Sequence, residues 1–272
     1  MGQDIEVIRD KNAMRNWSRN RRVQGEKISL VPTMGYLHSG HLALVKAAKT
    51  RAPRVVVSIY INPAQFAAGE DFSTYPSNFE GDLNKLRALG VDAVFIPADL
   101  YVREDNAKGE GKVEDKNVGE CTSFLEEKSG NGHETWIRVD KMEKPLCGKS
   151  RPIFFRGVAT VVAKLFNIVE PDFAVFGKKD YQQWRLICRM VRDLDFAVEI
   201  VGSEIVRDSD GLALSSRNVH LSPKERREAL SICRSLTKVR NAVCNGEISS
   251  GILRHLVVEN ILKAGGKIDY VE

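Results

Sequence analysis

The apolar and polar positions of the chain form two patterns that alternate along most of its length. Short apolar runs rich in β-branched residues predict buried strands at 27–33, 54–61, 91–97, 172–177 and 196–202. Helical spacing of apolar residues predicts helices at 41–49, 79–89, 158–169 and 181–192, and a more polar helix at 11–24. Strands and helices that alternate in this way form a parallel sheet with right-handed crossovers. The pattern therefore predicts an α/β fold with a Rossmann-like parallel sheet.

The segment between about residues 104 and 134 differs from the rest, because it is rich in Lys, Glu, Gly and Asn and has few apolar positions. Such a segment buries too little apolar surface to offset the entropy lost when it becomes ordered. We therefore predict a flexible surface insertion here, and a lid over a functional site is the alternative.

The last part of the chain has a pattern of its own. Ser222 and Glu225 have the spacing of a capping box at a helix start, a second helix is predicted at 249–264, and a strand is predicted from Lys267. We expect two domains: a Rossmann-like domain at 1–205 and a small α+β C-terminal domain at 206–272. The smaller domain would end on an unpaired first strand, so we expect the C-terminus to be truncated.

Composition and charge narrow the classes of function. The net charge is +5, acidic and basic residues are interspersed, and no basic stripe is interleaved with aromatic residues, which argues against nucleic-acid binding. The cysteines are five in number, widely spaced and without a C-x-x-C pair, so neither a zinc site nor a disulfide framework is expected. No apolar run approaches the ~20 residues that span a bilayer. We therefore predict a cytoplasmic protein with no membrane or nucleic-acid partner.

The strongest local signal is PTMGYLHSGH at 32–41, where a predicted strand turns into a predicted helix. Gly35 permits a sharp turn, and Gly40 permits a close backbone approach. His38 and His41 are three residues apart, so they share one side of the first helical turn. Together with the free N–H groups and positive end of the helix, they predict an anion site suited to polyphosphate. A histidine pair that only caps the helix is the alternative.

A second strand-to-helix turn carries FGKKDYQQ at 176–183. Lys179 can reach a phosphate as a mobile charge, Asp180 can accept hydrogen bonds from ribose hydroxyls, and Gly177 leaves room for the sugar. Gln183 lies one helical turn farther along and is predicted to face the same cleft. A solvated polar turn is the alternative interpretation.

Three further positions suit ligand binding, although each has a plainer explanation. In LSSRN at 214–218, two hydroxyls and a guanidinium occur in succession and could clamp a phosphate, whereas a serine-rich turn needs no ligand. Gln65, which follows the second predicted strand, can offer a donor and an acceptor to a hydroxy acid. Tyr75 and Asp82 follow, and Asp82 could hold Mg²⁺ directly or through water, or be only a solvated helix residue.

In this order and spacing, the motifs resemble those of the pantothenate synthetase (pantoate–β-alanine ligase) family. The motifs that carry the likeness are PTMGYLHSGH, SIYINPAQF, TYPSNFEGDL, FGKKDYQQ and LSSRN. The long insertion and PLCGKSRPIFFRGVATVV are most similar to plant members. The resemblance implies a nucleotidyltransferase-type Rossmann domain, a small C-terminal domain that closes over ATP, and a homodimer.

The resemblance also implies a reaction and a set of site residues. The carboxylate of pantoate would attack the α-phosphorus of Mg-ATP, and the amine of β-alanine would then displace AMP from pantoyl adenylate. His41 would donate a proton, and His38, Lys179 and Arg217 would neutralise developing charge. The ATP site would comprise Met34, Gly35, His38, His41, Gly177, Lys179, Asp180, Val206, Leu214, Ser215, Ser216 and Arg217. Pantoate and β-alanine would bind Gln65, Gln183 and Tyr75, and Mg²⁺ would bind Asp82.

Some features depart from the family pattern. Phe154 stands where bacterial members often carry His, and Gly81 stands where an acidic residue is common, which would leave Mg²⁺ with one ligand fewer. The stop after Glu272 is expected to weaken the packing of the C-terminal domain. Two other functions remain open: another H-x-G-H enzyme, such as a pantetheine-phosphate or nicotinate-mononucleotide adenylyltransferase, and a nucleotide-binding protein without catalytic activity.

Overall fold

The structure is a computed structural model that describes residues 4–101 and 133–272. Almost all of the predicted insertion at 104–134 lies outside the described residues. Within them, six strands form one sheet in which every neighbouring pair is parallel. The strands are β1 (Glu6–Ile8), β2 (Ile28–Thr33), β3 (Arg54–Ile59), β4 (Ala93–Phe95), β5 (Phe173–Gly177) and β6 (Glu199–Ser203). The α/β fold predicted from the sequence is confirmed; the short strand β1 was not predicted.

Helices connect most of the strands and continue into the C-terminal part of the chain. They are α1 (Lys11–Val23), α2 (Ser39–Lys49), α3 (Phe79–Ala88), α4 (Asp140–Glu143), α5 (Cys147–Ser150), α6 (Phe154–Val169), α7 (Tyr181–Asp193), α8 (Pro223–Cys244) and α9 (Ser250–Lys263). Short side chains cap several N-termini: the Asp10 carboxylate accepts from the Ala13 N–H at 2.6 Å, and Asn78 Oδ1 accepts from the Gly81 N–H at 3.0 Å.

Apolar side chains pack on both faces of the sheet. One cluster joins α1, α6 and α7 to the sheet, and the other joins α2 and α3 to its opposite face. Alternate residues of β3 serve the two clusters, since Val56 belongs to the first while Val55 and Val57 belong to the second. Helix α6 lies deepest, with 12 of its 16 residues buried. Both faces of the sheet are therefore covered, as in doubly wound folds.

The strand order is β1-β4-β3-β2-β5-β6, so the direction of winding reverses between β2 and β5. Strand β2 pairs with β3 along all six of its residues, but with β5 only at Ser29 and Leu30. Beyond this short pairing, the carboxyl ends of β2 and β5 are no longer joined. Open α/β sheets bind ligands in the crevice at such a reversal point, outside the carboxyl ends of the strands.

The chain divides into two compact units. The larger unit comprises Met1–Leu37 and His41–Ser203, and the smaller comprises His38–Gly40 with Glu204–Glu272. In the smaller unit α8 packs on α9, and the capping box predicted at Ser222 and Glu225 is confirmed. The strand predicted from Lys267 is wrong, because residues 267–272 have no regular structure. A strand forms only with a partner, and none is available in this unit, where 204–272 contain just an isolated antiparallel bridge, Arg207 with Ala213.

Candidate active site

The turn after β2 has a left-handed backbone. Gly35 has a φ of +85° and Tyr36 a φ of +50°, so the sharp turn predicted at Gly35 is confirmed. A Cβ atom at Gly35 would lie 3.1 Å from Ile59 Cγ2, which leaves little space for a side chain. The hydroxyl of Thr33 donates to the Ser58 carbonyl at 2.8 Å and accepts from the Gly35 N–H at 3.2 Å. The turn is thus joined to the end of β3.

The two histidines of the motif lie at the beginning of α2. Ser39 is the first helical residue, so His38 directly precedes the helix and His41 lies in its first turn. The Gly40 N–H donates to His38 Nδ1 at 3.1 Å, and a Cβ atom at Gly40 would lie 2.8 Å from His38 Cε1. Because Nδ1 accepts, the neutral His38 ring carries its proton on Nε2. The first turn of α2 contains no acidic residue to offset the positive end of the helix.

The turn after β5 is more exposed. A 3₁₀ helix, Lys178–Asp180, leads from Gly177 directly into α7. Lys179 Nζ lies 3.2 Å from Asp180 Oδ2, and these side chains are 39% and 57% exposed. An ion pair this exposed is weak, so Lys179 could exchange Asp180 for a phosphate with little loss of free energy. Both residues were predicted to bind ATP, and both lie at the carboxyl end of the strand next to β2.

The two glutamines at the start of α7 have different environments. Gln182 is buried; its Nε2 donates to the carbonyls of Met142 and Pro145 at 2.9 and 2.7 Å. Its Oε1 accepts from the Cys147 N–H at 3.1 Å. Gln182 therefore holds the segment between α4 and α5, whereas Gln183, the residue predicted to bind pantoate, is partly exposed.

A hydrogen-bonded chain orients Gln65, which ends a 3₁₀ helix (Pro63–Gln65) after β3. The Tyr101 hydroxyl donates to Asn62 Oδ1 at 2.7 Å, and Asn62 Nδ2 donates to Gln65 Oε1 at 2.9 Å and to the Gly157 carbonyl at 3.2 Å. Since the Gln65 oxygen accepts from Asn62, its Nε2 is presented as a donor, and it lies 3.4 Å from Met34 Sδ. The sequence placed Gln65 correctly at a strand end but did not indicate Asn62 and Tyr101, whose roles depend on contacts distant in sequence.

An arginine secures the segment after Gln65. Arg151 forms two hydrogen bonds with the Glu70 carboxylate, both at 2.7 Å, and its Nη2 donates to the Gln65 carbonyl at 3.4 Å. This hydrogen bonding lowers the pKa of Glu70. The guanidinium also lies 3.9 Å from the ring centre of Phe154. Phe154 thus packs on the arginine that fixes this segment.

Tyr75 and Asp82, the other predicted binding residues after β3, are placed differently. Tyr75 packs edge-on against Phe66, with ring centres 6.1 Å apart. Asp82 is 1% exposed, and its Oδ1 accepts from the Leu37 N–H at 2.7 Å. Burial raises the pKa of this carboxyl, while the N–H groups of Leu37 and Tyr36 act in the opposite direction. In the part of the chain that the structure describes, no three His, Cys, Asp or Glu side chains are grouped to hold a metal.

The remaining predicted residues belong to the smaller unit. The Leu214 N–H donates to the Val206 carbonyl at 3.0 Å, and the Arg217 N–H donates to the Ser215 hydroxyl at 3.3 Å. Ser216 is buried, while Arg217 is exposed at the first turn of a 3₁₀ helix, Ser216–His220. The segment is therefore an ordered turn that contains an exposed arginine residue.

Within the larger unit, three of the turns that carry predicted binding residues lie at the carboxyl ends of neighbouring strands. The turns that carry Gly35, Gln65 and Lys179 follow β2, β3 and β5, which are neighbours in the order β3-β2-β5. Cationic, imidazole and amide groups at this edge suit a ligand that combines phosphates with a carboxylate or hydroxyl. No helix described in the structure is long and apolar enough to cross a membrane.

Comparisons with known proteins give a consistent result. The family model described as Pantoate-beta-alanine ligase matches residues 6–272. The chain is 59% identical, over 99% of its length and 86% of the relative's, to a pantoate–beta-alanine ligase of Oryza sativa subsp. japonica. It is 57% identical to the one of Arabidopsis thaliana, over 98% of its own length and 86% of the relative's. Identity to bacterial relatives is lower, for example 44% with a pantothenate synthetase of Geotalea daltonii, so the likeness to plant members is confirmed.

Solved structures agree with the sequence relatives. The crystal structure of a pantothenate synthetase from Thermus thermophilus matches with a TM-score of 0.79 and 38% identity, over 95% of this chain and 83% of that chain. A pantoate–beta-alanine ligase from Francisella tularensis, complexed with beta-gamma ATP and beta-alanine, matches with a TM-score of 0.73 and 29% identity, over 98% and 89% of the two chains.

Proposed function

The chain belongs to the pantoate–beta-alanine ligase family, and from this premise we propose how its residues join pantoate to β-alanine. The overall reaction consumes ATP and yields pantothenate, AMP and pyrophosphate. The observation that carries the assignment of residues is the position of three turns at the carboxyl ends of β3, β2 and β5, beside the point where the winding of the sheet reverses.

We assign the first step to the turns after β2 and β5. The pantoate carboxylate attacks the α-phosphorus of ATP, the bond to pyrophosphate breaks, and pantoyl adenylate forms. The carboxylate and the triphosphate repel each other, so the enzyme must offer positive charge and donors where negative charge builds up. His41 at the positive end of α2 and the exposed Lys179 supply such groups, and His41 would donate a proton to the leaving pyrophosphate.

The remaining ATP contacts follow from the same premise. We propose that Met34, Gly35 and Gly177 accommodate the nucleotide by close backbone approach, and that Asp180 accepts from the ribose hydroxyls. The smaller unit has its own candidate donors, and we assign to ATP its residues His38, Val206, Leu214, Ser215, Ser216 and Arg217. Support for Arg217 is its exposure at an ordered turn, because a guanidinium there can bind two phosphate oxygens at once.

Pantoate is assigned to Gln65 and Gln183, with Tyr75 nearby in the chain. Asn62 donates to the Gln65 oxygen, and Gln65 Nε2 donates one hydrogen to Met34 Sδ, so we assign its second N–H to a carboxylate or hydroxyl oxygen of pantoate. In the second step the β-alanine amine attacks the acyl carbon of the adenylate and AMP leaves with the electron pair of the broken bond. No covalent enzyme intermediate is required, since positioning alone can supply ~7–11 kcal/mol.

Three further properties are proposed on the strength of the family. Mg²⁺ enters with ATP as part of the substrate and shields the β- and γ-phosphates. The protein acts in the cytoplasm and assembles as a homodimer. Light scattering during size-exclusion chromatography would test the assembly, since the chain mass is 30.4 kDa and a dimer would double it.

A coupled assay tests the function directly. AMP release should require ATP, pantoate and β-alanine together, and pantoate alone should support exchange of pyrophosphate into ATP. Phosphopantetheine and nicotinate mononucleotide serve as alternative acceptors for the rival H-x-G-H activities. Pyrophosphate release with either of these, but not with pantoate, would overturn the assignment, and ATP binding without any release would identify an inactive nucleotide-binding protein.

A further inference from the structure

Two side chains of α3 hold the turn that precedes the histidine motif. Asp82 Oδ1 accepts from the Leu37 N–H at 2.7 Å, and Lys85 Nζ donates to the Leu37 carbonyl at 2.6 Å. The two residues are three apart on the helix, so their side chains project from the same face. Both polar backbone groups of Leu37 are therefore bound by one helix.

This arrangement meets two physical requirements of the turn. Leu37 is 3% exposed, and buried backbone N–H and carbonyl groups need hydrogen-bond partners. Tyr36, with a φ of +50°, bears a side chain in a region that favours glycine, and such a conformation persists only when its surroundings enforce it. The Tyr36 N–H also lowers the pKa of the Asp82 carboxyl, against the effect of burial. Helix α3 thus supplies the enforcing contacts.

The same contacts argue against a metal at Asp82. Its side chain is 2% exposed, and the Lys85 ammonium lies 3.9 Å from its Oδ1. Mg²⁺ in nucleotide sites keeps several water molecules and needs accessible oxygen ligands, and a neighbouring ammonium repels a divalent cation. The residues around Asp82 therefore do not fit the magnesium site expected from the sequence.

We propose that Asp82 and Lys85 are positioning residues that fix the backbone of Leu37 and hence the turn before His38 and His41. The inference rests on the proposed function, because the positioned histidines matter to catalysis only if they act on ATP. Its structural part, the hold on the Leu37 backbone, can be measured without any activity.

The experiment uses the full chain and four variants: Asp82→Ala, Asp82→Asn, Lys85→Met and the control Glu80→Gln. Glu80 is an exposed carboxylate in the same first turn of α3, so its change tests for a general effect of charge. Pantoate-dependent pyrophosphate exchange is measured with varied ATP and, separately, with varied Mg²⁺ at fixed ATP. Hydrogen exchange of the peptide covering 34–41 is followed by mass spectrometry, and melting temperature is recorded for each variant.

The expected results separate positioning from metal binding. Asp82→Ala should lower kcat on the order of 100-fold and Lys85→Met about 10-fold, since a displacement of about 1 Å can cost such factors. Asp82→Asn keeps one oxygen that can accept from the Leu37 N–H, so its kcat should fall less than that of Asp82→Ala. All variants should need the same Mg²⁺ concentration for half-maximal rate, and hydrogen exchange at 34–41 should accelerate in Asp82→Ala and Lys85→Met but not in Glu80→Gln.

Two outcomes would overturn the proposal. If Asp82→Asn needs at least about 10-fold more Mg²⁺ while Lys85→Met is as active as wild type, Asp82 is a metal ligand. If both Asp82→Ala and Lys85→Met leave hydrogen exchange at 34–41 unchanged, or lose activity only in proportion to the unfolded fraction, the contacts do not position the turn. A third result would separate the two proposals. If the wild type is inactive but hydrogen exchange at 34–41 still differs among the variants, the proposed function is refuted, while the role of Asp82 and Lys85 in fixing the Leu37 backbone stands.

Discussion

The turns after β2 and β5 lie at neighbouring strand ends but are built in different ways. The first has a left-handed backbone, and the side chains of Asp82 and Lys85 bind its Leu37 peptide groups. The second has an ordinary backbone at Gly177 and an exposed Lys179–Asp180 ion pair. A fixed turn suits groups that must meet one atom in one geometry, and an exposed lysine suits a charge that follows the phosphates as they move. We therefore expect His41 to donate its proton from a fixed position and Lys179 to follow the phosphates as a mobile charge.

His41→Ala should give the largest effect, because it removes a donor from the fixed turn. Pantoate-dependent pyrophosphate exchange should fall by a factor on the order of 10²–10³, the usual loss for a charge-stabilising donor. The melting temperature should change little, since His41 is only partly buried in the first turn of α2. Unchanged exchange would remove His41 from the mechanism.

Lys179→Ala should have a smaller effect, because a mobile charge can be replaced in part by Mg²⁺ or by other donors. We expect exchange to fall about 10–100-fold, with weaker ATP binding and little loss of stability, since exposed ion pairs contribute little. Lys178→Ala is the matched control, as Lys178 lies one residue away and packs 5.5 Å from the Trp184 ring centre. A parallel loss of melting temperature and activity would show that Lys179 has a structural role.

Replacing Gly35 and Gly177 separately by alanine compares how much backbone strain each turn imposes on a side chain. Gly35→Ala places a side chain at a φ of +85° and 3.1 Å from Ile59 Cγ2, so it should lower the free energy of unfolding by about 1–2 kcal/mol. Gly177→Ala is sterically compatible, because φ is −80° and the nearest heavy atom is 3.9 Å away. It should change stability by less than about 0.5 kcal/mol. Urea denaturation of both variants measures the difference, and equal losses would contradict the comparison.

Tyr101→Phe asks whether the third turn, after β3, is also fixed. The change removes the hydrogen bond to Asn62 Oδ1 and loosens the amide that orients Gln65. A neutral hydrogen bond contributes about 0.5–1.5 kcal/mol, so the KM for pantoate should rise about two- to tenfold. The KM for ATP should stay unchanged and is the internal control. Equal changes in the KM for pantoate and the KM for ATP would show that the effect is not confined to the turn after β3.

The smallest effect concerns pH. Hydrogen bonding to Arg151 lowers the pKa of Glu70 in the folded protein, so the pair stabilises the fold above the ordinary pKa of glutamate and ceases to do so as pH falls through the lowered value. Glu70→Gln should therefore cost less than about 1 kcal/mol at neutral pH and nothing in acid, because the pair is partly exposed. Denaturation of both proteins at pH 7 and about pH 3 measures this, and an equal cost at both values would contradict it.

The sequence predicted the backbone of this fold better than its side-chain network. Alternating strand and helix patterns were enough to predict the parallel sheet, and glycines at strand ends were enough to locate the turns after β2 and β5. Strand β1 was missed because three residues carry too little pattern, and the strand from Lys267 was wrong because an apolar pattern does not supply a partner strand. Contacts such as Tyr101 with Asn62 depend on the tertiary fold and leave no local signal.

The sequence alone also could not show which of two similar residues is buried. Gln182 and Gln183 are adjacent, yet the first is buried in three hydrogen bonds and the second is partly exposed. Asp82 has the sequence pattern of a helix-surface carboxylate, but it lies against the backbone of a segment 45 residues earlier. Burial is a property of packing between distant segments, and only the folded chain reveals it.

The close approach of α6 to the turn after β3 has a consequence for engineering. A Cβ atom at Gly157 would lie 2.1 Å from the Ala64 carbonyl oxygen, so this side of the Gln65 turn has no spare room. A side chain larger than hydrogen at position 157 must therefore displace the backbone of Ala64 and Gln65. A screen for ligases that accept bulkier or smaller hydroxy acids should therefore recover changes at and around Gly157, in a buried helix to which the sequence analysis assigned no binding residue.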